Sequence, residues 1–239
     1  MKIRIIAPII VDQFNEGIET EAKQFASPDT EIEVVNLDKG TASIESMYDE
    51  VLGSPDIIAK TIQAEKDGCD AVFIDCFGDP GVDAAREMVS IPVAGGFQPS
   101  VLTASLISGS FSVVSVLPSV GPMIRNLCRK LGVESNLASV RFINTPVLEL
   151  AEKGSLLDKL FDQLEIAVTK DGAEAVVLGC TGMLGLAKGL ADKAVEKGMP
   201  VPVVDPTGAA VCFLELLVRN KLSQSKITYP APPDKERKV

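Results

Sequence analysis

Along the chain, short runs of branched apolar residues alternate with longer stretches in which apolar positions recur at helical spacing. That alternation is the pattern of parallel strands buried on both faces and covered by helices, so it predicts an α/β fold. Strands are predicted at Ile3 to Ala7, Glu31 to Asn36, Ala71 to Asp75, Pro92 to Ala94, Phe111 to Val116, Val140 to Ile143, Ala175 to Leu178 and Val201 to Val204. The weakly polar stretch from Val101 to Leu117 carries Ser108, Gly109 and Ser110 at its centre, so it reads as helix, turn and strand rather than as a membrane span. From Leu222 onward proline and charge dominate, which predicts a surface tail.

Two stretches follow one pattern: "GCDAVFIDCFGDPG" from Gly68 to Gly81 and "GAEAVVLGCTGM" from Gly172 to Met183. In each, a glycine and an acidic residue precede an apolar run that ends in a cysteine, Cys76 or Cys180, followed by turn-forming residues. Further echoes pair "IIAP" ending at Pro8 with "SVLP" ending at Pro118, and "IPVAGG" with "VPVVDP". The repeat predicts two pseudo-symmetric units, each a four-stranded parallel sheet flanked by helices, whose third strand ends in a cysteine. No low-complexity linker separates them, so they are expected to pack side by side.

The 239 residues, 46% hydrophobic, suffice for one large domain or two small ones. A net charge of −10, from 23 basic and 33 acidic residues, argues against nucleic acid and anionic membrane as partners; the one basic run is Lys235 to Lys238. Pro8 and Asp12 break the first apolar run and no small-residue cleavage site follows. A reducing, cytoplasmic setting is therefore expected, with all five cysteines as thiols. There is no histidine, which removes Ser-His-Asp and Cys-His nucleophile systems and histidine zinc sites. Two thiolates without a CxxC do not complete a ligand set, so no metal is expected.

In open parallel sheets ligands bind beyond the carboxyl ends of the strands, and both repeat cysteines sit there. Asp79 reads as a helix N-cap with Pro80 at the first helical position, and Thr181 as the equivalent cap, which places each thiol near a helix start that favours thiolate. Backbone N–H groups around Phe77 to Asp79 and Thr181 to Met183 would then hold an anionic oxygen, with Gly78 and Gly182 allowing close approach. Gln98, Ser100 and Asp205 read as caps, and Cys69, Cys128 and Cys212 as small buried apolar residues. The matched position of Cys76 and Cys180 sets these two apart as a candidate two-thiol site.

Together "DCFGDPGVDAARE", "SIESMYDE", "IPVAGG" and "VVLGCTGM" resemble the Asp/Glu/hydantoin racemase family, nearest to its hydantoin and allantoin racemase branch, over nearly the whole chain to about Arg219. The resemblance implies two similar α/β units, residues 1–97 with 208–239, where the last helix returns, and residues 98–207, with an active site in the interdomain cleft. It implies Cys76 and Cys180 as an acid/base pair that inverts the α-carbon of a small hydantoin-, allantoin- or amino-acid-like substrate without a cofactor, in a homo-oligomer. Substrate contacts are implied at Pro8, where the branch usually has an asparagine of Asn-Pro-Asn, and at Ser115, where threonine is common; Gln98 replaces a usual glutamate. The alternatives are a decarboxylase or cis–trans isomerase on the same scaffold, and a small-molecule binding protein without activity.

Overall fold

The computed structural model describes residues 1–150 and 153–236. Strands β1 (Lys2–Ala7), β2 (Glu31–Asn36), β3 (Ala71–Ile74) and β4 (Val93–Gly95) form a four-stranded parallel sheet in the order β2-β1-β3-β4. A second sheet repeats it with β5 (Phe111–Ser115), β6 (Leu137–Phe142), β7 (Ala175–Leu178) and β8 (Val203–Val204) in the order β6-β5-β7-β8. The α/β class is as the alternation predicted, and the paired four-stranded sheets are as the repeat predicted. Helices α1 (Asn15–Phe25), α2 (Met47–Lys66), α3 (Val82–Met88), α4 (Phe97–Ile107), α5 (Gly121–Leu131), α6 (Lys153–Thr169), α7 (Leu186–Glu196) and α8 (Pro206–Arg219) cover the sheets.

The two-residue period of the strands sorts the first core into two layers. Ile3, Ile5 and Phe73 pack against Ile18 of α1 and Val211 and Leu214 of α8. Ile6, Val72 and Ile74 on the opposite face meet Ile57 of α2 and Val82 and Ala85 of α3. Helix α8 thus closes the first sheet, although it follows the last strand of the second. It is fastened by Glu215, whose carboxylate accepts from Ser27 N–H (2.8 Å), Ser27 Oγ (2.6 Å) and Thr30 Oγ1 (2.5 Å) at the turn before β2.

Backbone register defines the repeat. Ile6 pairs with Ile74 and Val114 with Leu178, and the next N–H in each half, of Asp75 or Gly179, reaches back to Ile6 O (2.9 Å) or Val114 O (2.8 Å). Asp75 and Gly179 are therefore equivalent, as are Cys76 and Cys180. In this register the counterpart of Pro8 is Val116; Pro118 lies further on and opens a 3-10 turn, Pro118–Val120, so the "IIAP"/"SVLP" echo is not a structural equivalence. The "IPVAGG"/"VPVVDP" echo is one, since Pro92 O and Pro202 O accept from Val72 and Val176 at the same distance, 2.9 Å.

Strand β6 starts at Leu137 rather than Val140. Its first half is a partly exposed edge with a register irregularity opposite Phe111 and Ser112, which dilutes the apolar signal. The segment after Leu222 lies on the surface but is pinned. Gln224 donates to Val89 O and Ile91 O (both 2.9 Å) and accepts from Val93 N–H (3.3 Å), and Lys226 Nζ donates to Arg86 O (2.7 Å) and Val89 O (2.6 Å). This covers the free edge of β4, which would otherwise offer unpaired backbone groups. Arg237 and Lys238 of the basic run lie outside the described residues. Among the described residues no helix is long and apolar enough to cross a membrane.

The close approach of β5 and β7 at the site depends on Gly179. A Cβ there would lie 2.7 Å from both Ser115 Cβ and Val113 Cγ1 and 3.0 Å from Ser115 Cα. Gly179→Ala is expected to lower stability by about 1–3 kcal/mol in urea unfolding, because a strand backbone has to move. A midpoint equal to wild type would show that the strands separate without cost.

Candidate active site

The carboxyl ends of β1, β3, β5 and β7 open onto one cavity of about 80 Å³ between the sheets. In each sheet the central pair is where the chain switches from winding one way to the other, the place where a doubly wound sheet leaves a crevice. Of the residues singled out from the sequence, Pro8, Cys76, Phe77, Gly78, Ser115, Cys180, Thr181 and Gly182 line this cavity, and Asp79 does not. The lining also includes Met123, Ile124 and Leu127 from one face of α5, a wall the sequence reading missed although the helical spacing was visible.

The turn after each cysteine is built alike. Asp79 N–H donates to Cys76 O (3.3 Å) and Met183 N–H to Cys180 O (3.2 Å); Gly81 and Gly185 then take left-handed φ values of 68° and 74°, and α3 and α7 begin only at Val82 and Leu186. The helices start later than the cap readings of Asp79 and Thr181 require. The Asp79 carboxylate crosses instead to α4 and accepts from Phe97 N–H (2.8 Å) and Gln98 N–H (3.2 Å). Room for it comes from Gly95, where a Cβ would lie 2.1 Å from Asp79 Oδ1. The equivalent position in the other half is Asp205, which caps its own helix, α8, by accepting from Gly208 N–H (2.9 Å). Gln98 and Ser100 are not caps: no side chain bonds the α4 start from within, and Ser100 Oγ donates to Gly96 O (2.6 Å).

The two hydroxyls of the lining are both committed to backbone. Ser115 Oγ donates to Gly179 O (2.8 Å), and Thr181 Oγ1 donates to Asp75 O (3.1 Å), which ties the second half to the first. Phe77 packs edge-on against Phe97, with ring centroids 5.3 Å apart.

Both thiols are partly exposed. Gly78 N–H donates to Cys76 Sγ (3.4 Å), and Gly182 N–H bonds the Cys180 sulfur. Burial nevertheless dominates. It pushes Cys180 up to about 12 against the Gly182 bond, with the Asp75 and Glu45 charges adding to the rise. It pushes Cys76 well up against the Gly78 bond, with Glu50, Cys180 and Asp75 adding. The expected lowering by helix starts does not occur, because the helices begin too far on and the described lining holds no lysine or arginine. Cys69 and Cys128 are buried as read, whereas Cys212 is exposed on the outer side of α8.

Around the thiols lies a set of carboxyls that the sequence reading did not count as site residues. Asp75 is pushed up to about 7 by burial and by Asp205 against a bond from Thr181. Burial and the Asp79 charge push Glu50 up to about 7, and its Oε1 sits over Gly78, where a Cβ would be 2.1 Å away. Glu21 is pushed up to about 8 by burial and by Asp205, and accepts from Gly185 N–H (2.5 Å). Glu45 and Glu50 come from "SIESMYDE", in which Ser46 caps α2 by accepting from Asp49 N–H (3.2 Å). Their signal was the acidic capping pattern, which marks a helix start but not what that helix overhangs.

The profile of the Asp/Glu/Hydantoin racemase family matches residues 3–214. A hydantoin racemase of Pseudomonas sp. (strain NS671) is 39% identical over 238 residues, 99% of this chain and 94% of that protein. An allantoin racemase structure from Klebsiella pneumoniae is 33% identical with a TM-score of 0.93, covering 100% of this chain and 96% of that one. The allantoin racemase AllR from Pseudomonas fluorescens is 32% identical, also at 0.93, and covers 100% of both chains. The chain belongs to the Asp/Glu/hydantoin racemase family and is an isomerase of the racemase class.

Asp75, Glu50 and Glu21 hold their protons more tightly folded than an unfolded chain would. The stability this represents is complete below about pH 4 and is lost as pH rises through about 7 to 8. Asp67 beside Arg4 and Asp171 beside Arg141 are held low instead, so their contribution is lost on acidification. The free energy of urea unfolding is therefore expected to be higher at about pH 5.5 than at about pH 8.5, and Glu21→Gln to shrink the difference. A rise in stability across that interval would show that these carboxyls ionise in the folded state without penalty.

Proposed function

We propose that this protein is a cofactor-independent racemase of neutral cyclic ureides of the 5-substituted hydantoin or allantoin type, with Cys76 and Cys180 as its proton donor and acceptor. The observation that carries this reading is the entry of both thiols into one cavity from equivalent strand ends of two related sheets. Inversion requires a proton to leave one face of the carbon and another to arrive at the opposite face. A planar ring held between the thiols presents one face to each.

A buried thiol of raised pKa yields little thiolate, but that thiolate is the stronger base, which suits removal of hydrogen from carbon. As the C–H bond breaks, its electron pair moves onto the neighbouring carbonyl, and the N–H groups of Phe77 and Thr181, the residues that follow the two cysteines, are the nearby donors for the oxygen that becomes negative. The second thiol then gives its proton to the carbon from the other side. In the reverse direction the cysteines exchange roles.

The lining favours a neutral ring. A free aspartate or glutamate would bring its carboxylates into a cavity whose described lining has no lysine or arginine and whose surroundings already hold Asp75, Glu50 and Glu45. The names of the relatives, hydantoin racemase and allantoin racemase, support the same class. A reducing cytoplasm is the setting that keeps both thiols available.

Replacement of either cysteine by serine is expected to abolish racemisation without unfolding the protein, since a hydroxyl is too weak an acid and base at neutral pH. Given one enantiomer in deuterated water, each variant is expected to exchange the α-hydrogen with retention, and the two variants to prefer opposite enantiomers. Proton NMR with chiral chromatography reads both, and full activity in either folded variant would remove that cysteine from the chemistry. Polarimetry with the wild-type protein tests the substrate class: a 5-substituted hydantoin is expected to racemise faster than glutamate, and the reverse order would overturn it.

A further inference from the structure

The two halves differ at one point on the cavity floor. Where β7 is followed by Gly179, β3 is followed by Asp75, so a single carboxyl stands beside Cys76 with no counterpart beside Cys180. Asp75 is only 7% exposed, yet it belongs to the cavity lining, and its charge bears on both thiols. Its Oδ1 is buried and accepts no hydrogen bond. Apart from the cysteines it is the one titratable residue among the described lining.

A buried oxygen left without a donor destabilises the empty protein unless something brings one. Nothing nearby does. Thr181 Oγ1 bonds Asp75 itself but leaves Oδ1 without a partner, Ser115 Oγ is spent on Gly179 O, and the N–H groups of Gly78 and Gly182 on the sulfurs. Behind Asp75 the groups whose charges act on it are themselves acidic, Asp205 at the start of α8 and Glu21 of α1. A ligand can supply the missing donor, and no cation among the described lining residues balances a ligand carboxylate. The amide N–H of a neutral ring fits both conditions.

We propose that Asp75 is the substrate-binding residue that selects for a ring N–H, its free Oδ1 accepting a hydrogen bond from one nitrogen of the ureide between the two thiols. This rests on the cyclic-ureide reading above and adds to it the atom that recognises the ring. Because the other half has only glycine at this position, the bond also orients the ring one way in a nearly symmetric cavity.

The test compares 5-benzylhydantoin with its N1-methyl and N3-methyl derivatives in wild-type protein and in Asp75→Ala, with Asp75→Gly, the residue at the equivalent position of the other half, as the second variant should alanine fail to fold. Wild type is expected to disfavour methylation at one of the two nitrogens by about tenfold or more in kcat/KM, the loss of the hydrogen bond to the Asp75 carboxyl. In the variant that preference is expected to fall to within about threefold, because the acceptor is gone. Comparing ratios removes any effect of methylation on the intrinsic acidity of the carbon. Calorimetric binding of the same three compounds reads the preference should turnover be too slow. Equal preference in wild type and the folded variant, or no preference in wild type, overturns the role of Asp75 while leaving the racemase reading intact. Wild-type protein that neither binds nor racemises any of the three overturns both.

Discussion

Each cysteine is held at the first residue beyond the backbone ladder of its sheet. The N–H of Asp75 makes the last bond to β1 and the N–H of Gly179 the last bond to β5, and the chain then turns so that Asp79 and Met183 close back on the cysteine carbonyls. A thiol so placed inherits the rigidity of the sheet while lying outside it. The same constraint applied twice brings two sulfurs to one cavity, and the position of every other wall follows from it.

The cavity is an unusual electrostatic setting for thiol chemistry. Burial, with nearby carboxyls and no lysine or arginine among the described lining residues, raises both thiols rather than lowering them. Basicity is gained at the expense of thiolate population, a balance opposite to that of a nucleophilic cysteine kept ionised by a cationic neighbour. The same absence of positive charge disfavours anionic ligands, so one arrangement bears on both reactivity and selectivity.

The two halves are stitched together by polar bonds that run across the repeat. Asp79 caps α4, Thr181 donates to Asp75 O, Glu45 accepts from Val147 N–H (2.7 Å), and Glu21 accepts from Gly185 N–H. Each joins a residue near one thiol's turn, or near the helix beside it, to the other half of the fold or to the helix that leads there. Relative movement of the sheets would break several at once, which resists opening of the floor of the cavity.

Local patterning determined a good deal of this protein. The alternation of β-branched runs with helical spacing set the α/β class, and "AVFI" and "AVVL", apolar throughout and each one residue short of a cysteine, placed both thiols at strand ends. "VVDP" correctly marked Asp205 as a cap, because that bond closes within three residues. Tertiary structure alone decided which helix Asp79 caps, since the vacancy it fills is made by Gly95 on another strand. It also decided that Cys212 is exposed, that the segment after Leu222 is pinned to the edge of β4, and that the thiols are raised rather than lowered. The physical reason is range. Strand and helix periodicity is a property of neighbouring residues, whereas burial and charge at a cleft sum contributions from elements that only the folded chain brings together.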